Sequence, residues 1–79
     1  MTNENTLREV FMEILEMPPE SEPGDARLFE TPGWDSMGHM SLMIALEDTF
    51  KIEFEADHII QINSYEMAVT TLRELGCAL

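Results

Sequence analysis

Leu7, Val10, Phe11, Ile14 and Leu15 recur at the i, i+3, i+4, i+7, i+8 spacing that gathers apolar side chains on one stripe of a helix. Thr6 with Glu9 suits a capping box, and Thr2 or Asn3 would start the helix a turn earlier. Met17-Pro18-Pro19 ends it, because proline lacks the helical donor and disfavours helix in the residue before it. Residues 18–34 hold all four prolines and two of the four glycines, so they read as a loop. That loop exceeds the usual upper limit of about 12–15 residues for a structureless connection, so it has to be tied down or functional. Leu28 and Phe29 are its expected anchors in the core, and Asp25 to Phe29 can form one helical turn.

The second helix is predicted from Ser36 to Phe50, with Asp35 or Ser36 as N-cap. At about 100° per residue, Leu42, Leu46 and Phe50 coincide, with Ala45 and Thr49 beside them, and form the core face. Met37, Met40 and Ile44 cluster on nearly the opposite side, flanked by Glu47 and Asp48. A helix in a small bundle needs one buried stripe, and this one has two. Lys51 to Glu55 alternates, turning Ile52 and Phe54 inward. Asp57 is positioned to cap a short third helix through Ile59, Ile60 and Ile62. Ser64 caps a fourth, whose stripe is Tyr65, Ala68, Val69, Leu72 and Leu75, with Gly76 at C′. The expected fold is therefore all-α: a small four-helix bundle of three longer helices, one short helix and a long first loop.

Size narrows the function. The 79 residues set the scale of one domain, 1–79, too small for a deep cleft with separate walls. Four Lys+Arg against sixteen Asp+Glu give a formal net charge of −12. Such a surface repels nucleic acid and anionic membranes, favours a soluble monomer and attracts partners with basic patches. Cys77 is the single cysteine, so no internal disulfide forms and a reducing, cytoplasmic setting is the default. The N-terminal run MTNENTLREV lacks a signal-peptide pattern, and no apolar stretch approaches membrane-spanning length.

The chemistry centres on GWDSMGHM, Gly33 to Met40. Gly33-Trp34-Asp35-Ser36-Met37-Gly38 has one residue too many before the serine to be a G-x-S-x-G elbow. His39 lies three residues along the same helix, on the core-facing side of the first turn, a geometry that points its ring down the helix wall and does not guarantee contact with the hydroxyl. Hydrolysis is disfavoured. His39, His58 and Cys77 lack the paired spacing of metal sites, so no metal is expected. There remain a serine serving only as a cap and a serine serving as an attachment point, where a phosphoryl group would sit on the positive end of the helix dipole.

The segment GWDSMGHMSLMIALEDTFKIEF, Gly33 to Phe54, resembles the second-helix region of acyl carrier proteins and the related peptidyl carrier domains. The likeness extends over most of the chain, from the first helix and the long loop with Leu28-Phe29 to the short helix before the last. It implies that Ser36 receives 4′-phosphopantetheine from coenzyme A, transferred by a magnesium-dependent phosphopantetheinyl transferase, and that Asp35 assists recognition by that enzyme. It also implies that Met37, Met40, Ile44, Glu47 and Asp48 dock on basic patches of acyl- or aminoacyl-loading and acyl-processing enzymes, and that the chain itself catalyses nothing. Gly38, His39 and Ser41 stand where carriers of primary fatty-acid synthesis usually have acids. The run is more similar to freestanding carriers of specialised acyl, polyketide-type or aminoacyl transfer. Gly38 is also expected to weaken the first helical turn by up to about 1 kcal/mol relative to alanine and to loosen the serine end. The alternative from another class is an acidic helical interaction module in which Ser36 is only a helix cap.

Overall fold

A computed structural model describes residues 2–79 of the chain. Four α-helices follow in order: α1 (Asn3–Ile14), α2 (Ser36–Phe50), α3 (Ala56–Gln61) and α4 (Tyr65–Glu74), with a 3-10 turn at Pro23–Asp25 in the long first loop. Between the two starts open for α1, the N-cap is Thr2, whose hydroxyl accepts from the Asn5 N–H at 3.1 Å. The helix stops before the prolines: Leu15 is the C-cap and Glu16 turns left-handed at φ 50°.

The core joins α1 through Leu7, Phe11 and Leu15, α2 through Leu42, Met43 and Leu46, and α4 through Ala68 and Leu72, all buried. Phe11 is its aromatic hub, edge-on to Trp34 at 5.3 Å and to Tyr65 at 4.9 Å between ring centroids. Of the two expected anchors of the loop, Leu28 is half-buried and packs against the core, whereas Phe29 is 70% exposed. Pro23, Ala26 and Trp34 are the buried loop residues. The loop is tied down by backbone as well, since Leu28 N–H donates to the Asn63 carbonyl at 3.0 Å and Tyr65 N–H to that of Ala26 at 3.1 Å. These bonds belong to an isolated antiparallel bridge between Arg27 and Ser64, which sews the loop to the start of α4. The expected turn at Asp25 to Phe29 forms earlier, at Pro23–Asp25, where proline fixes the backbone for a first helical position.

Two further expectations give way. The core face of α2 includes His39 as expected but extends to Met43, also buried, while Thr49 is exposed and Phe50 only half-buried. The segment after α2 supplies the cover on that side: Phe54 N–H donates to a Glu47 carboxylate oxygen at 2.8 Å, and the Ile59 carbonyl reaches His39. The cap of α3 is Glu55 in place of Asp57. Asp57 lies inside the first turn, and His58 Nδ1 accepts the Glu55 N–H at 3.0 Å. At the far end, Ser64 caps α4 by accepting from the Met67 N–H at 3.1 Å, and Gly76 follows it at φ +94°.

Candidate functional site

Asp35 caps α2. Its backbone is extended and its carboxylate accepts the Gly38 N–H at 2.8 Å, while its carbonyl accepts the His39 N–H at 2.7 Å. Ser36 is therefore the first residue of the helix rather than its cap, and its side chain is exposed. None of the side-chain hydrogen bonds among the described residues uses its hydroxyl. The amides of Ser36 and Met37, at the positive end of the helix dipole, have no intrahelical partner by the geometry of a helix start.

The loop that delivers Asp35 and Ser36 is held by two glycines. Gly33 has φ +90°, and a Cβ there would lie 2.5 Å from the Leu15 carbonyl oxygen. A Cβ on Gly38 would collide with the carbonyl oxygen of Gly33, closer than 3.0 Å, and would sit 3.3 Å from the Asp35 carboxylate. Gly38 thus permits a close approach of loop to helix, a contact that its helix propensity alone does not indicate.

Beside it, Trp34 and His39 form a buried polar pair. The indole N–H of Trp34 donates to His39 Nδ1 at 2.9 Å, and His39 Nε2 meets the Ile59 carbonyl oxygen at 2.8 Å. An indole can only donate and a carbonyl can only accept, so the hydrogen is assigned to Nε2. Both ring nitrogens are committed, one to the loop and one to α3. His39 is 9% exposed and serves Ser36 neither as base nor as metal ligand. No spacing rule flags this pair in a sequence, because an indole and an imidazole five residues apart meet only when a loop folds back on a helix.

The second stripe of α2 is on the surface. Met37 is 83% exposed, Met40 and Ile44 are about half exposed, and Asp48 is exposed. Glu47 is half-buried and already holds the Phe54 amide, so it offers only part of its carboxylate outward. Ile60 of α3 and Phe29 of the loop are exposed apolar residues that periodicity did not mark as surface. The site is a solvent-facing hydroxyl at a helix start capped by Asp35, with apolar and acidic side chains around it.

Residues 5–76 match the protein family described as "Phosphopantetheine attachment site". The chain is similar to an acyl carrier protein of Campylobacter curvus, 34% identical over 70 residues that cover 89% of this chain and 91% of the relative. It is also similar to an acyl carrier protein of Campylobacter concisus, 27% identical over the same shares.

Proposed function

Since this chain belongs to the phosphopantetheine-attachment family of acyl carrier proteins, we propose that Ser36 holds the arm and that Asp35 presents it to the transferase. Members of this family are carriers and not catalysts, and they carry 4′-phosphopantetheine covalently. The observation that supports Ser36 is its hydroxyl, exposed and free of structural hydrogen bonds at the first position of α2 while Asp35 does the capping. The residues fit the group: the two unpartnered amides at the helix start suit a phosphodiester anion. When bound, the arm supplies a terminal thiol that holds an acyl group as a thioester.

In the loading step, Ser36 Oγ bonds to the phosphorus that bears the pantetheine of coenzyme A. The phosphoanhydride bond breaks, 3′,5′-adenosine bisphosphate leaves, and the hydroxyl proton passes to a base on the transferase. Tethering then replaces free diffusion of the acyl group by local effective concentration. Met37, Met40 and Ile44, with Asp48 and the outer part of Glu47, form the face that meets basic-rimmed partners; methionine suits a surface that repacks against several of them. The pathway we infer is specialised acyl or polyketide-type transfer rather than primary fatty-acid synthesis. The first turn of α2 has no acid, which favours that reading. An aminoacyl cargo would need the same arm and the same serine. The setting we infer is cytoplasmic, for a monomeric single-domain carrier. No described helix is long and apolar enough to cross a membrane.

Intact-protein mass after incubation with coenzyme A, magnesium and a broad-specificity phosphopantetheinyl transferase tests the assignment. The wild type is expected to gain one phosphopantetheine group and Ser36→Ala none, with both proteins folded. Modification of Ser36→Ala would move the site elsewhere, and no gain in either would return Ser36 to the role of a surface serine.

A further inference from the structure

Phe29 is the least expected side chain in the loop. It is 70% exposed, although an aromatic ring of that size is usually placed inside. Its backbone is also left-handed, at φ 67°, a conformation that glycine or asparagine takes with little strain and a bulky residue does not. The left-handed backbone belongs to a turn in which the Glu30 N–H donates to the Arg27 carbonyl at 3.1 Å, but neither that turn nor the core, whose buried loop residues are Pro23, Ala26 and Trp34, calls for an aromatic ring there. The position is nonetheless well defined. Phe29 N–H donates to the Trp34 carbonyl at 2.7 Å, and Trp34 N–H donates to that of Thr31 at 3.0 Å. From Trp34 the chain runs directly through Asp35 to Ser36, so bond lengths keep the Cα atoms of Phe29 and Ser36 within about 12 Å. Met37, the other strongly exposed apolar side chain near the hydroxyl, follows Ser36 in α2.

We propose that Phe29 is a recognition residue for the phosphopantetheinyl transferase: a loop-borne apolar knob beside Ser36 that enters an apolar pocket of that enzyme rimmed by basic groups. This rests on the reading of Ser36 as the attachment site. Exposed aromatic side chains that bury on binding are the usual anchors of an interface. A bulky ring at a turn position that glycine or asparagine would fill with less strain is a choice that the turn does not require, and it points to contact with another molecule. Charge complementarity identifies the partner's rim. Glu30 and Asp35 bracket the knob in sequence, both are exposed, and the chain as a whole has a net charge of −12. A basic rim would steer the encounter and the ring would fix its register. The loop contact is distinct from the α2 stripe, because it approaches Ser36 from the residues before it.

The proposal separates stability from recognition. Phe29→Asn removes the ring and relieves the left-handed strain, so its Tm should equal or exceed that of the wild type. The same variant should raise the transferase KM for the carrier about fivefold or more, with kcat within about twofold; Phe29→Leu should fall between. Kinetics with coenzyme A and magnesium, read by intact mass, and a thermal melt of the unmodified proteins decide it. A lower Tm for Phe29→Asn would make the ring a packing element and overturn the proposal. An unchanged KM would overturn it too, while modification of both proteins would leave the Ser36 reading standing. If the wild type itself gains no mass, both readings fall together.

Discussion

Gly38→Ala sets two effects of opposite sign against each other. Alanine is the better helix former by about 1 kcal/mol, so an exposed helical glycine would ordinarily gain stability from the change. Here the new Cβ meets the Gly33 carbonyl oxygen closer than 3.0 Å, and the obstacle is backbone. That carbonyl cannot retreat cheaply. Gly33 is itself wedged against Leu15 at φ +90°, and the next residue is held by the Trp34–Thr31 and Phe29–Trp34 hydrogen bonds. Overpacking of this kind costs about 1–3 kcal/mol. The Cβ also crowds the Asp35 carboxylate at 3.3 Å, and losing that cap costs a further ~0.5–2 kcal/mol. After the propensity gain, a net loss of about 0.5–4 kcal/mol is expected. At about 4–8 °C per kcal/mol for a domain of this size, the Tm should fall by at least about 2 °C. Urea melts followed by far-UV circular dichroism measure it, with the m-value held as a check that only stability has changed. Ser41→Ala, at an exposed position of the same helix, supplies the propensity reference. A Gly38→Ala protein as stable as the wild type, or more so, would refute the reasoning, because the loop would then be yielding and the glycine would be only a weakness in the helix.

The His39 pair gives a second test: His39→Leu leaves the buried Trp34 indole N–H without an acceptor and should cost about 1–3 kcal/mol, with faster amide exchange in α3, whereas His39→Gln retains an acceptor and a donor and should recover most of both. A third concerns Glu22, whose carboxylate is held below its ordinary value first by its hydrogen bond from Arg8, at 2.6 Å, and then by that from the Gly24 amide. A depressed carboxylate contributes stability above its unfolded value and loses it as pH falls through the folded value. The stability difference between wild type and Glu22→Gln should therefore be present near neutrality, shrink below about pH 4.5 and vanish in stronger acid. Because both side chains of this pair remain accessible to solvent, salt should shrink the difference as well. A difference independent of pH would mean that the Arg8–Glu22 pair does not stabilise the loop.

What could be read from the sequence depended on how local each determinant is. The span of α2, Ser36–Phe50, follows from a cap residue and periodicity, both contained within the helix. The cap of α4 at Ser64 and the glycine after it were legible for the same reason. Met43 was missed because its burial depends on the segment after α2 folding back beside His39, which no helical wheel contains. Of the loop anchors, Leu28 packs against the core as hydrophobicity indicated, but Phe29 was misread, because the backbone bridge to Ser64 turns Ala26 inward and leaves Phe29 out. For α3, a six-residue helix with no buried residue gave too weak a pattern to distinguish Glu55 from Asp57 as its cap. Around Ser36, the start of α2 and its capping by Asp35 or Ser36 were legible. The glycine contact and the indole–imidazole pair, which fix their position, are tertiary and were not.

The division of labour between Asp35 and Ser36 has a consequence for turnover. A capping side chain is committed to the helix it starts, so a serine that capped α2 would destabilise the protein each time its oxygen acquired a substituent. With the neighbouring carboxylate in that role, the hydroxyl can be esterified and freed again while the hydrogen bonds beneath it stay as they are. On the proposed assignment of Ser36, the unloaded and loaded molecules then share one folded body, and a partner that distinguishes them does so by touching the arm.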